Sequence, residues 1–560
     1  MLHTSWALQP SPDPNELARL GVDDDLLARL LYFRGVRSAA EARVFLSPTD
    51  QPLSDPFLLP GMDAAVARLR QALRRGETIA VYGDYDVDGL TGTALLADVI
   101  ELLGGHVVTY IPHRAREGYG LHTSAIASLV EVGARLIVTV DCGSTALQEL
   151  AATPAGVDVV VTDHHVVPPE LPSAVAVVNP HRVDAPLAWR EWAGVGVALK
   201  LAQALVAEVQ GGDAAATLTP FLDLVALGTL ADMVDVRGEN RMLVARGLER
   251  LAAGARPGLS ALLDRALPRG APLDAESVTF ALIPRLNAAG RVGDPTLALD
   301  LLRTKDAEEA RLLVEELEGL NVLRRANVDE ALERVRRQID DAAIERPALV
   351  VADAIPVGVA GLVASRLVDA LQRPVVVLEL GERESRGSAR SVAGLDIVEV
   401  LEACADLLTR FGGHRQAAGL ALPNANLAPF VERFMSLVAA RLRDAAPTPT
   451  VRAEAELPLD RPLWSLHERL RALEPHGTGN PAPLFLSRDL EVRELRPING
   501  GHTLVRLRGR GPTHTALAFR QETLDIRVGD RVDVLYHLRR RERNGTFGIE
   551  LLLQGIRRSS

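Results

Sequence analysis

From residue 76 to residue 165, short apolar runs alternate with segments whose apolar residues recur at helical spacing. Residues 76–82 (GETIAVY) form a buried-strand pattern that ends in Gly83–Asp84. After Gly89, LTGTALLADVIELLGG carries a helical period that Gly104–Gly105 stop. HVVTYIP predicts the next strand, and two further helix–strand pairs follow, ASLVEVGA with RLIVTVDCG and ALQELAA with DVVVTDHH. Strands alternating with helices at this spacing predict an α/β fold with a mostly parallel sheet. In such a sheet, functional residues sit just past the strand C-termini. Asp84, Asp141 and Asp163 all fall at such ends.

The pattern changes twice further on. Residues 305–341 contain no Pro and one Gly, and Asp306 followed by Glu309 has the spacing of a capping box. This predicts one long or once-broken helix joining two lobes. A second α/β region, 342–445, follows with PALVVAD, a helix GLVASRLVDALQ, the strand PVVVLEL, then a glycine-bearing loop and FGGHRQAAG. Beyond the linker DAAPTPT, residues 450–560 show period-2 strands (HTLVRLRG, TALAF, RVDVLYHL, FGIELLLQ), which predict a small β-barrel, an OB-fold first among the candidates. The first α/β domain is expected over 51–304, with residues 1–50 as a helical extension packed on it.

Composition adds bounds. A chain of 560 residues exceeds what one core usually serves, so about three domains are expected. No run of ~18 apolar residues appears, which argues against a membrane span. The start lacks the basic and apolar regions of a signal peptide, and Cys142 and Cys404 are too few for a disulfide framework. A reducing cytoplasm is therefore the expected location. The net charge is −11, but residues 451–560 hold 19 Arg, no Lys and 14 Asp+Glu, so the barrel carries +5 and the rest −16. An acidic body with a basic module can still bind a polyanion locally. Since Lys200 and Lys305 are the only lysines, arginine abundance by itself decides nothing.

Candidate chemistry concentrates in acidic residues and a histidine pair. In Gly83-Asp84-Tyr85-Asp86-Val87-Asp88-Gly89 a turn lets Asp84 and Asp86 face one cation, and hard oxygen ligands suit Mg2+ or Mn2+. A solvated acidic loop or a calcium-binding turn is the bland alternative. Asp141 in TVDCG, taken alone, reads more readily as a helix cap or turn residue. In Asp163-His164-His165 one imidazole can ligate while another group orients it, or the pair can form a packed corner. Asp232 lies near the end of a long apolar segment and needs either a metal or an arginine partner. Taken together, these groups describe a site for two hard cations, able to activate a water and clamp a phosphate. No P-loop and no G-x-S-x-G motif occurs.

GDYDVDG, VDCG, DHH and Asp232, in that order, resemble the motifs of the DHH phosphoesterase superfamily, and FGGHRQAAG resembles the GGH motif of its DHHA1 companion domain. REGYGL at 116–121, PRLNAAGR at 284–291, GSARS at 387–391 and EPHGTGNPAPLF are similar to the RecJ family of single-strand-specific exonucleases. The resemblance covers about residues 30–555. It implies a metal-dependent exonuclease degrading single-stranded DNA 5′→3′ to mononucleotides, in repair and recombination. It further implies Asp84, Asp86, Asp141, His164 and Asp232 as metal ligands, with His165 touching the scissile phosphate or bracing the site. Arg114, Ser388 and Arg390 would hold the 5′ phosphate. Arg285, Asn287 and Arg291 would flank the site, and Gly412, Gly413 and His414 would approach the DNA. A single-strand-binding protein and a helicase are the candidate partners. The chain departs from the family where Ala354-Ile355-Pro356-Val357 replaces a Trp-His pair, which removes one expected substrate contact. With aromatics at 4%, strand binding is expected to lean on charge. The rival readings are a small-nucleotide phosphodiesterase of the same superfamily and a non-catalytic strand-binding scaffold.

Overall fold

The run Ile79-Ala80-Val81-Tyr82 is apolar at every position because both faces of its strand are covered. Ile79 and Val81 enter one core, while Ala80 and Tyr82 enter another on the opposite face of the sheet. The computed structural model describes residues 5–186, 190–268, 270–339, 346–443, 450–519, 521, 524–543 and 546–559. Most of the linker DAAPTPT lies outside them. The first sheet has the order His106–Tyr110, Thr78–Tyr82, Ala134–Val140, Asp158–Thr162, Ala176–Val178, and every pairing is parallel. On one face the helices Val87–Leu102, Gly194–Gln210 and Leu222–Ala231 pack together, each buried almost all round. Three strands end one or two residues before Asp84, Asp141 and Asp163, so the expected edge of the sheet carries the acidic residues.

The connecting segment is one helix, Ala307–Gln338. Asp306 caps it by accepting from the N–H groups of Glu308 and Glu309, but the reciprocal half of the capping box is absent. Glu309 instead takes the hydroxyl of Thr304. Its N-terminal half lends Ala310, Val314 and Leu317 to the first domain's core, and its C-terminal half lends Val328, Ala331, Leu332 and Val335 to the second's. Two lobes thus share one rigid rod of about 48 Å at 1.5 Å per residue.

The second domain has the strand order Arg410–His414, Ala417–Pro423, Glu384–Arg390, Val375–Leu380, Leu349–Asp353, with only the last pair parallel. The stretch expected as a glycine-bearing loop is therefore a central strand, Glu384–Arg390. Gly387 belongs there because a Cβ would lie 1.9 Å from the carbonyl oxygen of Val377.

The C-terminal module is a closed barrel of five strands. Phe485–Ile498 pairs with both His502–Arg508 and Arg531–Arg543, while Thr513–Ala518 and Thr546–Arg558 complete the circuit. Residues 1–50 correct an expectation. Leu20, Ala28, Leu30 and Leu31 join the barrel's core, not the first domain's, and Ser5–Leu8 pairs in parallel with Thr450–Ala453. Contact with the first domain is largely polar: Arg241 and Arg246 donate to the carbonyl oxygens of Phe45 and Thr49. An amphipathic helix shows in sequence that it has an apolar face, but not which core that face completes.

Candidate metal centre and phosphate pocket

Each acidic group of the first sheet is aimed by a different local device. Asp86 caps the helix Val87–Leu102, accepting from the N–H groups of Asp88 and Gly89, so that helix begins earlier than the sequence pattern predicts. Gly89 is a helical residue lying against the Asp84 backbone, where a Cβ would come within 2.5 Å of the Asp84 nitrogen. Its glycine serves close approach, not the turn expected there. Asp141 sits in the left-handed region at φ 63°, a conformation Asp tolerates, and this turns its carboxylate back from the strand end. Gly194 leaves the room it needs, since a Cβ there would meet the Asp141 Cβ at 2.7 Å.

The result is a compact cluster. His164 Nε2 lies 3.0 Å from Asp141 Oδ1 and 3.8 Å from Asp88 Oδ2, and its Nδ1 lies 3.6 Å from Asp232 Oδ2. Three overlapping sets, Asp84–Asp86–Asp141, Asp141–His164–His165 and Asp88–His164–Asp232, each bring their ligand atoms within 4.8 Å of one another. The structure therefore brings together all five expected ligands and adds Asp88, the third carboxylate of GDYDVDG. The available signal was its two-residue spacing from Asp86.

The electrostatics call for a cation. Burial, with Asp86 beside it, raises the Asp84 carboxyl well above the usual carboxylate range. Burial, Asp88 and Asp86 do the same to Asp141. Burial, with Asp88 and Asp86 adding to it against His164, pushes Asp232 up to about 7. Burial opposes charge on His164, but Asp232, Asp88, Asp163 and Asp86 outweigh it and raise that imidazole. Among the described residues, Asp84 Oδ1, Asp141 Oδ1 and His164 Nε2 are buried without an aligned hydrogen bond, the last two facing each other at 3.0 Å. Crowded carboxylates plus orphaned oxygen and nitrogen atoms fit hard divalent cations, which remove both conflicts.

Asp163 is not part of any of these sets as a ligand. Its Oδ1 accepts from His165 Nδ1 at 2.9 Å and its Oδ2 from the Ser144 N–H at 2.9 Å. Against the cost of burial, His165, His164 and Ser144 hold it well below the usual range. His165 is raised to about 9: burial works against its charge, and Asp163 and Asp141 prevail. The hydroxyl of Tyr119 stands 3.1 Å from the same Nδ1. From the second domain, His414 stacks on His165, with ring centres 5.8 Å apart and planes at 16°. The hairpin that carries it needs Gly413, whose φ is 147° and whose Cβ would meet the Ala417 carbonyl oxygen at 2.4 Å. Gly412 has open space beside it.

Beside the metal cluster lies a cavity of about 180 Å³, lined by His113, Arg114, Arg291, Val357 and Gly358 among others. Arg114 sits over the Tyr85 ring, 4.9 Å from its centre, and Gly290 abuts the Tyr85 carbonyl oxygen. Burial, with Arg114, Arg324 and Arg390 close by, pushes the Arg291 guanidinium down to about 9. It stays protonated at neutral pH, and an anion would relieve the repulsion. Arg390 and the buried Ser388 face Gly361 on the helix Val357–Leu371, where a Cβ would lie 2.8 Å from Arg390 Nη2 and 3.3 Å from Ser388 Oγ. Two expected contacts are engaged elsewhere. Arg285 pairs with Glu318 of the long helix at 2.6 Å, and the Asn287 side chain accepts from the Val87 N–H at 3.2 Å, bracing the helix that Asp86 caps.

Comparison with known proteins follows these divisions. The chain matches models of the DHH family N-terminal domain over 78–229, the DHHA1 domain over 347–443 and the RecJ OB domain over 453–555. It is 37% identical over 562 residues to the single-stranded-DNA-specific exonuclease RecJ of Dickeya dadantii, covering 95% of this chain and 96% of that one. The similarity to the Bacillus subtilis protein of the same name is 36% over 509 residues, 90% of this chain and 64% of the relative's length. The crystal structure of Thermus thermophilus RecJ with Mn2+ superposes with a TM-score of 0.85 at 34% identity, covering 99% of this chain and 80% of that chain. The same protein has been solved with Mg2+.

Proposed function

The chain belongs to the RecJ family, and from that premise we propose that it hydrolyses single-stranded DNA from the 5′ end, releasing mononucleotides. The observation that carries this reading is the adjacency of two sites across Tyr85. That residue sits between Asp84 and Asp86, and its ring lies under Arg114 of the arginine-lined cavity. A terminal phosphate held there by Arg114 and Arg291, with Ser388 and Arg390 reaching towards it from the adjoining strand, would leave the next phosphodiester at the metal cluster. A fork of guanidinium donors suits a terminal dianion. When bound, two divalent cations, Mn2+ or Mg2+, supply the charge that activates water and steadies the leaving oxygen. The protein's own groups do the rest. Asp163, bonded to Nδ1 of His165, would hold that protonated imidazole in place towards the scissile phosphate, and His414 covers it from the opposite lobe.

The barrel would guide the strand. Trp464, Phe519 and Phe547 are exposed, with Arg540 over Trp464 and Phe547 and Arg539 over Phe519. Rings flanked by guanidinium groups give bases a stacking surface, so binding would rest on more than charge. No helix among the described residues is long and apolar enough to cross a membrane. We place the activity in the cytoplasm, in DNA repair and recombination, with a single-strand-binding protein and a helicase presenting the strand.

The test is digestion of internally labelled strands with a 5′ phosphate or a 5′ hydroxyl, in Mn2+, Mg2+ or chelator, beside duplex and dinucleotides. Labels should leave from the 5′ side, with metal and on single strands alone. Arg390→Ala should raise KM on phosphorylated ends about tenfold, as expected for a charge-assisted contact worth ~1.5 kcal/mol, and change it little on hydroxyl ends. Digestion from the 3′ side would sink the polarity. Preference for dinucleotides would favour the small-nucleotide branch.

A further inference from the structure

The motif Glu474–Pro483 (EPHGTGNPAP) touches neither the metal cluster nor the phosphate cavity, yet it lies against the turn that follows Asp232. That turn is unusual. The helix Leu222–Ala231 ends at Asp232, and Met233 follows in the left-handed region at φ 60°. Among the described residues no hydrogen bond reaches the Asp232 carboxylate, and the His164 imidazole faces it at 3.6 Å. Asp86 and Asp88, by contrast, are each held by two backbone N–H groups. The aim of Asp232 is therefore set by its backbone.

The barrel loop holds that backbone. Thr478 accepts from the Val236 N–H at 2.8 Å, and the Gly479 carbonyl oxygen accepts from Arg237 Nε at 2.6 Å. Gly477 and Gly479 allow the approach: a Cβ would meet Val236 Cγ2 at 2.5 Å and the Asp235 carboxylate at 2.7 Å. Asn480 staples the loop internally, donating to the carbonyl oxygens of Leu473 and Pro475 at 2.8 Å and accepting from Arg34 Nε at 2.8 Å. Asn240 also clasps the turn, donating to the carbonyl oxygens of Asp235 and Glu191.

We propose that the loop 474–483 of the barrel domain positions Asp232, so that docking of the barrel and affinity for the cation at that edge of the cluster are linked. The inference rests on the metal-site reading above. Because linkage is reciprocal, a strand that reseats the barrel would change cation affinity by the factor by which the cation changes strand affinity.

The experiment is Mn2+ binding to the full chain without DNA, read as loss of the free-ion electron paramagnetic resonance signal. The Asn480→Ala variant should weaken the more labile Mn2+ about tenfold, the range seen when outer partners of ligands are removed. Arg237→Ala, an exposed side chain whose loss leaves the fold alone, should weaken it by a smaller factor, and excess Mn2+ should restore kcat in both. Unchanged Mn2+ affinity in both variants overturns the proposal, and if Asn480→Ala fails to fold, Arg237→Ala decides alone. Should the unsubstituted chain bind no Mn2+, the metal-site reading itself fails.

Discussion

Asp88 carries two loads at once. Its oxygens accept the N–H groups of Gly194 and Val195 at 2.6 and 2.8 Å, which caps the helix Gly194–Gln210, and the same carboxylate faces His164 at 3.8 Å. An amide in its place keeps one acceptor and turns an NH2 towards an N–H, while removing a negative charge from the cluster. Asp88→Asn should therefore lower hydrolysis on the order of 10²-fold or more and weaken Mn2+ binding in parallel. Retention of near-normal turnover would remove Asp88 from the site. Its role was hard to read in sequence because the third carboxylate of D-x-D-x-D-G falls inside the helix, where an acidic first-turn residue is ordinary. Asp84, Asp141 and the histidine pair were legible because each follows an apolar run that can only be a strand. Asp163 was legible as a strand-end acid, but its work as the brace of His165 depends on Ser144 and Asn179, which approach from other segments.

The elements that sequence exposed best are those with both faces buried, such as Thr78–Tyr82 and Ala134–Val140, whose apolar runs leave no alternative. The strand Phe485–Ile498 was missed because its inward residues, Phe485, Leu490, Val492 and Leu495, lose strict alternation across register shifts after Ser487 and Val492, while Leu486 is buried on the other face. The glycine of GSARS read as a loop for want of the neighbouring strand it serves. At this scale the ion pair between Arg285 and Glu318 matters, since it ties the helix Ile283–Val292, which holds Asn287 and Arg291, to the long rod. Arg285 also donates to the Ala281 carbonyl oxygen, so its donors are largely engaged within the protein. Glu318→Gln should cost about 2 kcal/mol of stability, in the range for hydrogen bonds to charged groups, and leave strand affinity nearly unchanged. Denaturant unfolding beside strand titration checks this. A rise in strand affinity would show that freeing Arg285 returns it to the DNA, as the sequence reading expected.

Across the whole molecule, the barrel meets the catalytic body at a joint built from buried cations. Arg241 is 2% exposed and donates to the carbonyl oxygens of Leu473 and Pro475 at 3.0 Å, while Arg34 is paired with Glu454 at 2.7 Å. His476 lies in the same joint. Burial, with Arg34 and Arg241 nearby, pushes it down to about 3, so it folds in neutral. In the unfolded chain the same imidazole titrates near its ordinary value of ~6.5. Between those values the unfolded state binds a proton that the folded state refuses, so stability falls as pH drops through that window. Above pH ~6.5 the group contributes no slope. By pH 5 it should cost about 2 kcal/mol, from 1.4 kcal/mol per unit over ~1.5 units. His476→Gln keeps a neutral polar side chain without a titrating proton, so the acid slope of stability between pH 6.5 and 5 should flatten by one proton. Equal slopes in the two proteins would mean that His476 accepts its proton in place, and that the joint tolerates a third cation beside Arg34 and Arg241. Because the loop that contains His476 also grips the turn after Asp232, the same acidification should loosen the cation edge before the sheet itself unfolds.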